Sequence, residues 1–163
     1  MKIRIRRLTS NDYRVVKKIE KIIVDEYLQY LKETGEKDTI EPWITTRYFN
    51  HFVRTATSFV AEMDGKIVGF ILSQPTSYVH SAKREIWLEY IAVLPETRKM
   101  GIGSRLISKT VDHAYSHGVK LLYTTLNPNN SESSRLLVKH GFEVKDWKEA
   151  KRELEKRRSR PYL

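Results

Sequence analysis

Cysteine is absent from the 163 residues, which excludes disulfides, thiolate metal ligands and a cysteine nucleophile. No apolar run approaches the roughly 18 residues that a membrane-spanning helix needs. The opening Met1-Lys2-Ile3-Arg4-Ile5-Arg6-Arg7 carries charge with no apolar block behind it, so it does not read as a secretory signal. Together these absences point to the cytoplasm. Internal repeats, low-complexity tracts and linkers are also missing, and the length suits one domain over 1–163 with a basic C-terminal segment, 146–163.

What is present is ordinary for a globular chain, 40% hydrophobic and 31% charged, which argues against disorder throughout. The charge is unbalanced: 30 Lys and Arg against 20 Asp and Glu give +10. Such a surface concentrates polyanions, whether nucleic acid or a phosphorylated cofactor. From Lys145 to Arg160 basic residues outnumber acidic ones, and the pattern reads either as a solvated helix face or as a nucleic-acid contact.

Ile3 and Ile5 alternate with basic residues, as in a strand with one buried face. Ser10 is placed to cap a helix carrying Val16, Ile19, Ile23, Tyr27 and Leu31, with Gly35 as its stop. A second helix is expected from Trp43 to Val53, weakened by Asn50-His51. Phe59–Met63 and Ile67–Leu72 flank Asp64-Gly65, a hairpin signature. Residues 73–83 form a loop, and Glu85 to Val93 is a β-rich run ended by Pro95. The spacing then predicts a helix over 103–117, a strand over 121–126, a helix from an Asn129–Glu132 capping box to Gly141, a strand at 142–144 and a helix onward to Pro161. This is a mixed α/β pattern, antiparallel in its front half and crossover-connected behind.

The informative segment is Arg98-Lys99-Met100-Gly101-Ile102-Gly103-Ser104, between a buried strand and an amphipathic helix. Glycine lets the backbone turn sharply and approach a ligand, and a helix start presents unpaired N–H groups with partial positive charge. That arrangement fits an anion such as a pyrophosphate. A dinucleotide fingerprint needs a third glycine where Leu106 stands, and a P-loop needs Gly-Lys-Ser/Thr, which is missing.

The run from Leu88 to Gly103, with Val93-Leu94-Pro95 followed by Arg98-Lys99-Met100-Gly101-Ile102-Gly103, resembles the acyl-CoA binding motif of the GNAT superfamily of N-acetyltransferases. A second stretch agrees: Asn127-Pro128-Asn129-Asn130, then Ser133, Leu136, Lys139 and Gly141-Phe142, is similar to the family's Asn-x-x-Ala-x-x-Leu-Tyr-x-Lys-x-Gly-Phe. The resemblance covers 85–145. It implies a GNAT-like fold whose mostly antiparallel sheet splays between strands 85–93 and 121–126, and direct transfer of an acetyl group from acetyl-CoA to a primary amine, with no metal. It also implies that the pantetheine arm lies in the splay against backbone groups of Ile91, Ala92 and Val93, with an N–H near Val93 polarising the thioester carbonyl. The amides of Lys99, Met100, Gly101, Ile102, Gly103 and Ser104 would hold the pyrophosphate, with Arg98 nearby. Asn127, Asn130, Ser133, Leu136 and Lys139 complete the expected coenzyme contacts. The acceptor is not named by any of this. Alternatives are a catalytically weak adaptor that binds CoA or nucleic acid, and an acyltransferase for longer chains. Dimers are common in the family, which leaves a homodimer open.

An alkyl amine must lose a proton before it attacks. Glu89 is the first choice of base, since strand alternation puts it on the face of Ile91 and Val93, with Trp87 there to desolvate it. Glu85 shares that parity and is second. The family's acid tyrosine falls at Leu137, so the thiolate leaves unaided, or with water, or with a hydroxyl of Ser133, Ser134 or Tyr123. His113 and His117 are spaced i, i+4, but without a third ligand they read as a solvated face.

Overall fold

The computed structural model describes residues 1–76, 85–127 and 129–158, the last two by backbone alone. The elements are β1 (Ile3–Arg7), α1 (Tyr13–Thr34), α2 (Thr46–Thr55), β2 (Phe59–Met63), β3 (Lys66–Pro75), β4 (Glu85–Val93), α3 (Ile102–Ser116), β5 (Leu121–Tyr123), α4 (Ser131–Lys139) and α5 (Trp147–Arg158). The strands form one sheet in sequential order. β1 to β4 are antiparallel neighbours, and β5 joins β4 in parallel through the α3 crossover.

Local chemistry explains the boundaries. Gly35 stops α1 in the left-handed conformation, its N–H donating to the Leu31 carbonyl. Thr45 caps α2, its hydroxyl accepting from the Tyr48 N–H, and the helix runs through Asn50-His51. Asp64 and Gly65 both take positive φ and turn β2 into β3. α4 is capped by Asn130, not Asn129: its side-chain oxygen accepts from the Ser133 N–H at 3.0 Å. The expected strand at 142–144 does not form, and β5 stops at Tyr123 rather than 126. Past Tyr123 the chain leaves the edge of β4, and residues 142–144 pair with no strand of the sheet. Parts of the 73–83 loop (77–83), Pro128 and the end of the basic segment lie outside the described residues.

Apolar side chains fill both faces of the sheet. One core places Phe59, Ile71, Ile86 and Leu88 against Ile102, Leu106 and Ile107 of α3. The other places Val60, Phe70, Leu72 and Ala92 against Ile19 of α1 and Phe49 and Phe52 of α2. A buried carboxylate fixes the second face. Glu20 of α1 is fully buried and accepts from the Trp43 and Ile44 amides at 2.7 and 2.9 Å and from Lys17 Nζ at 2.6 Å. This pins the segment that feeds α2. Among the described residues no helix is long and apolar enough to cross a membrane.

Candidate active site

β4 carries an irregularity that decides where its side chains go. Tyr90 pairs with Leu72 and Leu88 with Ser73, so Glu89 is an extra residue, a bulge. Ile86 and Leu88 pack on the α3 face, and past the bulge Ile91 and Val93 pack there too. Tyr90 and Ala92 face α1 and α2. Glu89 points to that second side, where it meets Gln74 and lines a cavity with α2 residues. The expectation that Glu89 shares a face with Ile91 and Val93 is therefore corrected: one inserted residue reverses the alternation.

The same strand has a free edge. Leu94 donates to Val68 at 2.8 Å. By antiparallel alternation Tyr90, Ala92 and Leu94 spend their backbone groups on β3, and Ile91 and Val93 turn theirs the other way. β5 meets only Glu85, Ile86 and Trp87. Thr124 Oγ1 donates to the Leu88 carbonyl at 2.8 Å, and there the strands part.

A cavity of about 850 Å³ opens at this parting. Ile91, Ala92 and Val93 form one wall, and Arg98, Lys99, Gly101, Ile102, Gly103 and Ser104 form its end. Asn127, Asn130, Ser133, Leu136 and Lys139 line the opposite side. Of the residues expected to hold the coenzyme, only Met100 is outside the lining. The turn before α3 holds Lys99 (φ 62°) and Gly101 (φ 78°) in left-handed conformations, the kind of backbone in which successive amides can form an anion-binding concavity. A Cβ on Gly103 would sit 3.1 Å from Leu136 Cδ2. The remaining wall, from α1, escapes a motif search: Ile23, Glu26, Tyr27 and Tyr30, with Glu36 beyond. Arg98 grips Glu26 through both guanidinium nitrogens at 2.7 and 2.5 Å and donates from Nε to the Val93 carbonyl at 3.2 Å. Its charge is therefore partly neutralised.

A second cavity, about 460 Å³, lies under α2 and shares no lining residue with the first among the described residues. Trp43, Tyr48 and Phe52 supply its aromatic side, Arg47, His51 and Arg54 its polar side, and Gln74 and Glu89 its sheet side. The polar groups are linked. Gln74 Nε2 donates to Glu89 Oε1 at 2.5 Å, so Gln74 Oε1 is left to accept from His51 Nε2 at 2.7 Å, and that nitrogen carries the proton. His51 and Gln74 were not singled out from sequence. The readable signal was the i, i+4, i+7 stripe of Arg47, His51 and Arg54.

The other candidates lie elsewhere. Glu89 is exposed, so Trp87 does not desolvate it. Glu85 is buried opposite Leu121 and lines neither cavity. Tyr123 packs edge-on against Trp87, and its hydroxyl meets Thr76 Oγ1 at 2.6 Å, again outside both. Ser133 lines the larger cavity; Leu137 is buried in the core. Tyr90 stacks on Trp43, and its buried hydroxyl has no partner among the described residues. Burial, and then the charge of Glu20, push that phenol up to about 12. His113 and His117 stack on each other, and no metal-binding cluster occurs among the described residues.

Comparison with known proteins agrees with this architecture. Residues 16–142 match the acetyltransferase (GNAT) family. The uncharacterized N-acetyltransferase YhfO of Bacillus subtilis is 27% identical over 121 residues, 74% of this chain and 79% of that protein. The L-2,4-diaminobutyric acid acetyltransferase of Nocardia farcinica is 37% identical over 78 residues, 47% of this chain and 38% of that one. Among solved structures, Arabidopsis thaliana Naa50 in complex with a bisubstrate CoA analogue superposes with TM-score 0.71 at 17% identity, covering 90% and 86% of the two chains. An aminoglycoside acetyltransferase from an uncultured soil sample gives 0.66 at 16% identity, covering 90% and 94%. With its splayed sheet, amide-rich turn and family match over most of its length, this chain belongs to the acetyltransferase (GNAT) family.

Proposed function

We propose that the protein transfers an acetyl group from acetyl-CoA directly to a primary amine, with the coenzyme in the larger cavity and the amine entering beside Glu89. The observation that carries this reading is the free edge of β4 meeting the amide-rich turn within one cavity of about 850 Å³. The backbone groups of Ile91 and Val93 pair with the pantetheine as a strand would, and amides from Lys99 to Ser104 hold the diphosphate at the start of α3. Asn130 spends its side-chain oxygen on the α4 cap, leaving its amide nitrogen to donate to the ligand. Lys139, at the last turn of α4, adds a cation toward the nucleotide end.

In the reaction the amine nitrogen forms a bond to the thioester carbon and the C–S bond breaks. Glu89, directly or through a water, takes the proton the amine loses. The Val93 N–H, on the free edge, stabilises the oxyanion as charge develops. The sulfur leaves as thiolate, which an ordinary thiol pKa of about 8.5 permits without a dedicated acid. Of the candidate hydroxyls of Ser133, Ser134 and Tyr123, Ser133 alone lines the coenzyme cavity; Glu85 and Tyr123 take no part. Calorimetric titration with acetyl-CoA, followed by thiol release with a panel of amines, tests the proposal. Folded protein that shows no heat of binding overturns it.

A further inference from the structure

The smaller cavity carries more positive charge than a base for amines requires. Arg47, His51 and Arg54 stand at i, i+4 and i+7 on α2, within one stripe of the helix that faces the cavity. His51 is tied through Gln74 to Glu89, which sets the level at which the amine is received. Arg47 lies one turn before His51 and Arg54 about one turn beyond it, so their backbone positions are roughly 5 Å along the helix from that level, within reach of a long side chain. Neither arginine makes a hydrogen bond or ion pair among the described residues, whereas Arg98 and Arg6 are both matched to carboxylates. Among the described residues Glu89 is the only carboxylate in the lining, and it is already engaged by Gln74.

We infer that the acceptor is a zwitterion, a primary amine whose molecule also bears a carboxylate, with the amine at Glu89 and the carboxylate on Arg47 or Arg54. This rests on the acetyl-transfer reading above. Guanidinium is built for two-point recognition of carboxylates. A polycation presents its surplus amines to two unpaired guanidinium groups, and like charges at close quarters disfavour it. Trp43, Tyr48 and Phe52 cover the aliphatic part of the acceptor between its charged ends.

The test uses matched pairs that differ by one carboxylate: lysine against cadaverine, ornithine against putrescine, with spermine as a polycation and phosphoethanolamine as a phosphate-bearing amine. Thiol release is followed with saturating acetyl-CoA. The amino acid of each pair is expected to show kcat/KM at least about tenfold above its diamine, and Arg47→Ala/Arg54→Ala to bring that ratio toward one. Both arginines are exposed, so the variant should fold, and its acetyl-CoA affinity by calorimetry should match the unaltered protein. Equal rates, preference for the diamine or spermine, preference for phosphoethanolamine, a ratio that survives the double substitution, or turnover of no panel member by protein that binds acetyl-CoA each overturns the inference. Failure to bind acetyl-CoA instead sinks the catalytic reading itself.

Discussion

Glu89 shows how much one residue can shift. Its candidacy was readable, because a carboxylate two steps before the expected carbonyl site suits a base. Its face was not, because alternation along β4 holds only while every residue is paired, and the inserted position sends Glu89 toward α2. Glu89→Gln should keep acetyl-CoA binding and lower kcat by about 10²- to 10⁴-fold; steady-state rates beside calorimetry check this. In the proposed reaction His51 and Gln74 act through Glu89, as positioning residues. Gln74→Ala should lower kcat by about tenfold and shift the acid limb of the pH–rate profile, which a purely structural role would not move. A second pair of histidines bears on stability. Burial first, and neighbouring positive charge second, hold His113 and His140 below the ordinary 6.5. The unfolded chain therefore binds protons more readily than the folded one. Their contribution is complete above about pH 6.5 and is lost as pH falls through the lowered values. Thermal melts should show a lower Tm at pH 5 than at pH 7.5, with His113→Gln/His140→Gln flattening the slope.

At the scale of elements, the helices and long strands were legible because their apolar spacing and end signals agree: Gly35, Asp64-Gly65, Gly118 and Gly141 all sit at turns. Short runs misled. Phe142-Glu143-Val144 is β-rich in composition, yet it pairs with no strand of the sheet, and composition cannot see that. The coupling of α1 to α2 through Glu20 was equally invisible, since a glutamate in a helix reads as surface. Glu20→Ala leaves the buried Ile44 amide, the half-buried Trp43 amide and Lys17 without their acceptor and should cost about 2–3 kcal/mol, a Tm drop on the order of 5–10 °C. The sheet has its own tight point. A Cβ on Gly69 would lie 2.8 Å from the Ala92 carbonyl oxygen, a backbone atom with little freedom to yield. Gly69→Ala should therefore destabilise by about 1–3 kcal/mol, measurable as a lower denaturant midpoint. Gly103→Val, by contrast, presses on Leu136 at the coenzyme cavity and should weaken acetyl-CoA binding more than it lowers Tm.

Across the whole molecule the +10 charge and the charge at the coenzyme cavity tell different stories. The cavity lining sets Arg98, Lys99 and Lys139 against Glu26, Glu36 and Glu132, so in the proposed function retention of the diphosphate falls to main-chain amides while the general field acts on approach. Raising salt should slow association of acetyl-CoA and leave its dissociation rate nearly unchanged, which stopped-flow measurement would separate. The basic C-terminal helix is less bare than its composition implies, since Lys145 pairs with Glu143, Glu149 and Glu153 and Lys151 with Glu155.

Because the bulge puts Glu89 on the opposite side of the sheet from Ile91 and Val93, the reaction proposed above gives its two reactants separate doorways, with no lining residue in common among the described residues. Neither has to wait for the other to leave. Initial-velocity plots at several fixed concentrations of each should converge to a point, the mark of a complex in which both are aboard together, and parallel lines would mean that the acetyl group pauses on the protein along the way.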